Sequence, residues 1–149
     1  MSDHDPDLGA LPAQIILLAR AWRQLADRVL ASLEISNSKG YALLHLERLG
    51  QGTRQSDLAK AIGISEASLV RTLQQLERAE YVRRETDPGD GRAKSLYLTD
   101  EGSRLARLID DRLIELRKDL LAGIDDADLN TTNKVLATIS ARIADSRLN

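Results

Sequence analysis

The chain has no cysteine and no phenylalanine, and only one tryptophan, three tyrosines and three prolines among 149 residues. Without cysteine there is no disulfide framework, no thiolate zinc site, no catalytic thiol and no thiol redox sensor. Histidine is nearly as scarce: His4 stands in an acidic N-terminal stretch and His45 alone in the body of the chain. A multi-histidine metal centre is therefore excluded, and only oxygen sites built from Asp and Glu stay open. No apolar run approaches the roughly 18 residues of a membrane span. The opening "MSDHDPD" is acidic, where a secretory signal begins basic. These absences predict a cytoplasmic protein with no membrane partner and no cofactor. The lack of a Ser-His-Asp order, a phosphate loop or a metal cluster speaks against an enzyme.

What is present favours helix. The chain is 42% hydrophobic and 30% charged but only 3% aromatic, and Leu, Ala and Arg are good helix formers. From Leu11 the apolar residues Leu11, Ile15, Leu18, Trp22, Leu25 and Val29 step alternately by four and three, a heptad-like stripe that must bury against another helix. Ser36 or Ser38 can cap a second helix through "KGYALLHLERLG", with Leu43, Leu46 and Leu49 on one face and Gly50 as its stop. A third, shorter helix fits "TRQSDLAKAIG", with Thr53 as candidate cap and Gly63 as terminator. Ser65 then caps a fourth, "EASLVRTLQQLERAE", whose inward face is Leu69, Leu73 and Leu76.

Beyond that helix the period falls from about 3.6 to 2. Val82, Arg84 and Thr86 alternate with Tyr81, Arg83 and Glu85, and Leu96 and Leu98 alternate with Ser95 and Tyr97. The centre, Asp87-Pro88-Gly89-Asp90-Gly91, is dense in turn formers, so the segment reads as a β-hairpin with a protruding tip. Thr99 caps a long fifth helix carrying Leu105, Leu108, Ile109, Leu113, Leu116 and Leu120. Gly123 closes it, and a sixth helix starts near Asp125 or Asp126 with Leu129, Leu136, Ile139 and Ile143 facing one way. The terminal helices carry more apolar stripe than one small lobe can cover, which an isologous homodimer would bury. The expected organisation is a flexible acidic tail over 1–10, helical dimerisation segments over 11–35 and 100–149, and between them a lobe over 36–99 that holds the short helices and the hairpin.

A short helix, a turn through Gly63, a Ser65-capped helix and an Arg- and Lys-bearing hairpin make the order of a winged helix-turn-helix, mainly α with a small β wing. Ala59 must be small where the helices cross, and Gly63 gives the turn its backbone freedom. The second helix would present Ser65, Glu66, Ala67, Ser68, Arg71, Thr72 and Gln75 outward. Arg71 could then reach guanine bidentately and Gln75 adenine, while the Ser65 hydroxyl meets a phosphate. Arg92 and Lys94 near the hairpin tip could meet the minor groove or backbone of double-stranded DNA. Taken singly, Arg83, Arg84 and Lys94 also fit an ordinary solvated strand face. The competing reading is a winged-helix protein-interaction module without DNA binding, which a neutral or acidic recognition face would favour. Net charge is −2 over the chain, and only the stretch from Thr53 to Thr99 is positive, by one charge.

"LAKAIGISEASLVRTLQQLE" followed by "VRRETDPGDGRAKSLYLTDEG" resembles the recognition helix and wing of the MarR family of bacterial transcription regulators, and "AWRQLADRVL" resembles the first helix of its SlyA branch. The resemblance spans about residues 14–103. It implies a homodimer, repressing or counter-silencing genes and released from DNA by small aromatic acids. By position it makes Arg71 the recognition-helix arginine, Arg92 the wing-tip arginine and Asp90 the acid that braces the wing. Two departures stand out. The family usually has two consecutive arginines after the wing acid, where this chain has Gly91-Arg92, so one contact per wing is expected to be missing. It usually has Gly after the recognition helix, where this chain has Glu80, whose left-handed conformation would cost roughly 1 kcal/mol, so a different helix end is expected.

Effectors in the family commonly bind between the dimer helices and the DNA-binding lobe. That region would be lined here by Trp22, Arg23, Ser38, Tyr41, His45 and Thr72. Arg23 offers a forked donor for the carboxylate of an aromatic acid or its thioester conjugate, and Trp22 or Tyr41 an apolar face. Trp22 also fits the heptad stripe as a core residue, and His45 fits equally well as a hydrogen-bonded or exposed histidine.

Overall fold

The computed structural model describes residues 8–146; residues 1–7, most of the acidic stretch expected to be flexible, and 147–149 lie outside the described residues. Six helices and a three-stranded antiparallel sheet follow in the order α1 (Ala10–Ser32), α2 (Asn37–Leu49), β1 (Thr53–Arg54), α3 (Gln55–Ile62), α4 (Glu66–Arg78), β2 (Val82–Asp87), β3 (Asp90–Leu98), α5 (Asp100–Leu121) and α6 (Asp126–Ser146). This is the mainly helical, winged architecture that the periodicities predict.

Side-chain caps start three of the helices, α2, α4 and α5. Ser36 takes the N-cap of α2, its hydroxyl accepting from the Lys39 amide. Thr99 caps α5, accepting from Gly102 N at 3.0 Å. Thr53 does not cap α3. It lies in β1, pairing with Leu96 of β3, and its hydroxyl donates to Gly50 O at 2.7 Å; Arg54 holds the cap position without a side-chain capping hydrogen bond. The sheet order is β1-β3-β2, so the wing strands are anchored to the helical body through two residues that carry no periodicity of their own. Gln51 reinforces the anchor. Its side-chain amide donates to Leu98 O at 3.0 Å and accepts from Leu98 N at 2.8 Å, continuing the ladder as a strand residue would.

The chain divides into two compact units, residues 1–116 and 117–149. In the first, one core gathers Ala26 and Leu30 of α1, Leu43 and Leu46 of α2, Leu58 and Ala59 of α3, Leu69, Leu73 and Leu76 of α4, Val82, Leu96 and Leu98 of the wing, and Ala106, Ile109 and Leu113 of α5. Leucine at helical spacing fills it with almost no aromatic contribution, matching the composition. Ion pairs and hydrogen bonds tie α2 to α5 across the rim: Arg48 to Asp110 at 3.2 Å, Ser103 to Glu47 at 3.2 Å, and Arg107 to Glu47 at 3.6 Å. The two ion pairs are largely exposed and add little to stability beside the leucines.

The stripe on α1 splits in two. Leu25 and Val29 are half-buried at its C-terminal end, whereas Leu11, Ile15, Ile16, Leu17 and Leu18 are all exposed, Leu17 by 66% and Leu18 by 60%. In the second unit no residue of α6 is buried, and Val135, Leu136 and Ile143 are exposed. Among the described residues no helix is long and apolar enough to cross a membrane, and no group of three or more His, Asp or Glu is placed to hold a metal ion.

Candidate nucleic-acid interface

α3 ends at Gly63 with φ of 83°, a left-handed conformation that glycine adopts without strain. The amides of Gly63 and Ile64 both return to Ala59 O, at 2.9 and 3.0 Å, turning the chain sharply. Ser65 then sits extended, and its hydroxyl accepts from Ser68 N at 3.1 Å, starting α4. Leu58 and Ala59 on one side and Leu69 and Leu73 on the other, each at most 3% exposed, fix the crossing of the two helices.

With Leu69, Leu73 and Leu76 inward, the opposite face of α4 is set by helical geometry. Ser65, Ala67, Ser68 and Arg71 are exposed and Gln75 half-exposed. Thr72 is a correction: it is only 7% exposed, because it follows Leu69 by three and precedes Leu76 by four, which turns it to the flank of the leucine face. It does not belong to the outward face of α4 on which the sequence placed it. Gln74 and Arg78, not singled out from the sequence, are exposed instead. Counting three and seven residues on from Arg71 would have found them, since those steps return to the same helix face.

The C-terminal end of α4 departs from the expectation of a different helix end. Glu80 adopts φ of 61°, and Tyr81 N bonds Leu76 O at 2.9 Å, the closure that glycine usually permits. Thr99 holds this conformation from outside the helix. Its hydroxyl donates to Glu80 O at 2.6 Å and its amide to Tyr81 O at 3.0 Å.

β2 and β3 pair in the register Val82 with Leu98, Arg84 with Leu96 and Thr86 with Lys94, and they turn through Pro88-Gly89. Val82, Leu96 and Leu98 face the core, as their alternation predicts. Arg84 forms an ion pair with Glu77 of α4, joining wing and helix. On the outer face Arg83 pairs with Glu85 at 3.3 Å, and its guanidinium lies 4.9 Å from the Tyr97 ring centroid. Lys94 is exposed and donates to Thr86 Oγ1 at 3.3 Å. Asp90 and Arg92 belong to β3 by their backbone; their side chains lie outside what the structure describes.

The residues expected around an effector are partly brought together. The Arg23 guanidinium lies 3.6 Å from the Tyr41 ring centroid. Asp27, which the sequence reading passed over, accepts from Arg23 Nε at 3.3 Å and from the Tyr41 hydroxyl at 2.9 Å. Burial and the Asp27 hydrogen bond push the Tyr41 phenol up to about 12. His45, one turn further along α2, is half-buried; its pKa is lowered, first by burial and then by Arg48 and Arg23. Trp22 is half-buried on the α1 stripe, and Ser38 is exposed at the start of α2, 3.5 Å from the Ser36 hydroxyl.

Known proteins share this fold. Residues 33–93 match the model of the MarR family. The crystal structure of transcriptional regulator PA3341 is 35% identical, with 92% of this chain and 98% of that one covered and a TM-score of 0.80. A MepR variant from S. aureus, solved bound to an oligodeoxyribonucleotide, is 25% identical over 89% of this chain and 97% of its own, with a TM-score of 0.58. The transcriptional regulator SlyA, 17% identical over 91% and 95%, superimposes with a TM-score of 0.77, a likeness of fold alone. The chain therefore belongs to the MarR family and has the winged-helix fold of its transcriptional regulators.

Proposed function

We propose that this protein is a homodimeric, sequence-specific DNA-binding regulator of the SlyA-like kind, acting as a repressor that a small aromatic acid or its conjugate releases from a pseudo-palindromic operator. The observation that carries the reading is the exposed face of α4. Arg71 stands among Ala67, Ser68, Gln74 and Arg78, opposite a fully buried leucine face and beside the wing. A helix so held offers short polar side chains around a forked donor, which suits a major groove. MepR in its oligodeoxyribonucleotide complex supports the same use of the fold.

The dimer reading rests on exposed Leu11, Ile15, Leu17 and Leu18 in the first unit and, separately, on exposed Leu136 and Ile143 of α6. Apolar surface on that scale marks an association surface. The segments 11–35 and 100–149 would supply it, leaving 36–99 to meet DNA. Two recognition helices related by a two-fold axis would then enter successive major grooves about 10 bp apart.

The test is selection of bound duplexes from a random library, followed by fluorescence anisotropy on the selected and scrambled sequences. An enriched inverted repeat with half-sites about one helical turn apart is expected. Equal binding to selected and scrambled duplexes would remove sequence specificity from the reading, and no binding to any duplex would favour the protein-interaction module.

A further inference from the structure

We propose that Asp27 sets the affinity of the Arg23–Tyr41 site for carboxylate ligands by occupying that site as an internal carboxylate. The proposal rests on the effector reading above and concerns the regulation of the same site. Two donors from different helices converge on a single oxygen: Arg23 Nε at 3.3 Å and the Tyr41 hydroxyl at 2.9 Å both reach Asp27 Oδ1. A guanidinium and a phenol aimed at one point form a donor set suited to a bound carboxylate. The stacking of Arg23 on the Tyr41 ring holds that set in place. Tyr41 is itself 8% exposed and stays protonated as a donor throughout the ordinary pH range.

An incoming acid must displace Asp27 and then tolerate its charge nearby. The resistance is modest, because the Arg23 side chain is 58% exposed and an exposed i,i+4 ion pair holds weakly in water. Asp27 therefore raises the ligand concentration needed and leaves the site able to open.

The experiment is calorimetry on the full chain as parent, D27N, D27S, R23Q and R23Q/D27N, with salicylate and the neutral salicylamide as probes. Asn keeps an acceptor for Tyr41 and removes the charge; D27S gives a second route should D27N fold poorly, with far-UV circular dichroism checking each. D27N is expected to bind salicylate up to about fivefold tighter than the parent, to bind salicylamide no better, and to lose its gain in the R23Q background. A gain shared by salicylamide, a gain that survives R23Q, or no gain overturns the proposal. If the parent binds salicylate and neither Asp27 variant gains, the effector reading stands and the role of Asp27 falls. If no variant binds, both fall.

Discussion

The carbonyl oxygen of Tyr81 fills the space that a Cβ on Gly102 would need, so the segment that follows α4 and the first turn of α5 meet backbone to backbone. Thr99 completes the joint by bonding Glu80 O, Tyr81 O and Gly102 N. Three elements, α4, β2 and α5, are thereby held at one point. In an exposed helical position Gly→Ala would stabilise by roughly 0.5–1 kcal/mol. Here the added methyl meets backbone that cannot swing aside, and overpacking of this kind costs about 1–3 kcal/mol. Gly102→Ala is therefore expected to lower the urea midpoint, and a raised midpoint would show that α5 has room to shift.

Glu80 offers the opposite substitution. Its φ of 61° strains a residue with a side chain, by about 1–2 kcal/mol, and glycine would remove that strain at some entropic cost in the unfolded chain. Glu80→Gly should raise stability by up to about 1 kcal/mol. Unchanged or lower stability in urea denaturation would mean that the Thr99 bond already compensates.

These two positions show what the sequence discloses. Gly63 followed by Ser65, and the switch of period at Tyr81, are local signals, and the turn, cap and wing follow them closely. β1 was not legible, because two residues carry no pattern and Thr53–Arg54 becomes a strand only through its partners Leu96 and Ser95 in β3. Thr72 was misjudged because a residue on the flank of an apolar face is turned in or out by what packs beside it. Asp27 went unseen for a related reason: it meets Tyr41 only once α1 and α2 have docked.

The exposed half of α1 predicts an oligomeric state. Leu18, 60% exposed, contributes nothing to the core of its own chain, so Leu18→Glu should leave the fold intact and weaken association. Light scattering at micromolar concentration should give about twice 16.4 kDa for the parent and a lower mass for the variant. A parent mass of 16.4 kDa would remove the dimer from the reading.

His45 predicts a pH dependence. Burial first, then Arg48 and Arg23, lowers its pKa below the usual 6.5. The unfolded chain therefore binds the proton more readily, and stability is present above about pH 6.5 and lost as pH falls toward the folded value. The difference in unfolding free energy between pH 7.5 and pH 5.5 should shrink in His45→Gln. An identical difference would mean that His45 titrates alike in both states. Tyr41 acts at the other end: its raised pKa makes stability fall as pH climbs from about 10 toward 12, and Tyr41→Phe should flatten that limb.

The recognition face predicts which side chains read DNA and which only hold the helix. Arg71 lies at the centre of the exposed face, so Arg71→Ala should cost about 1–3 kcal/mol per half-site and flatten preference at one base position. Thr72, next in sequence and 7% exposed, points away from that face. Thr72→Val should therefore change stability without changing the affinity of the folded protein or its base preference. Arg78, exposed at the last turn of α4, is expected to meet phosphate, as is Arg92 on the wing. Alanine at either should weaken selected and scrambled duplexes alike. Each loss should also reduce the salt slope by about one per subunit, because one fewer counterion is released on binding. Anisotropy titrations across a salt series separate the classes. If Thr72→Val alters base preference while Arg71→Ala does not, the helix is rotated on its target relative to the face described here, and the assignment of its reading edge must change accordingly.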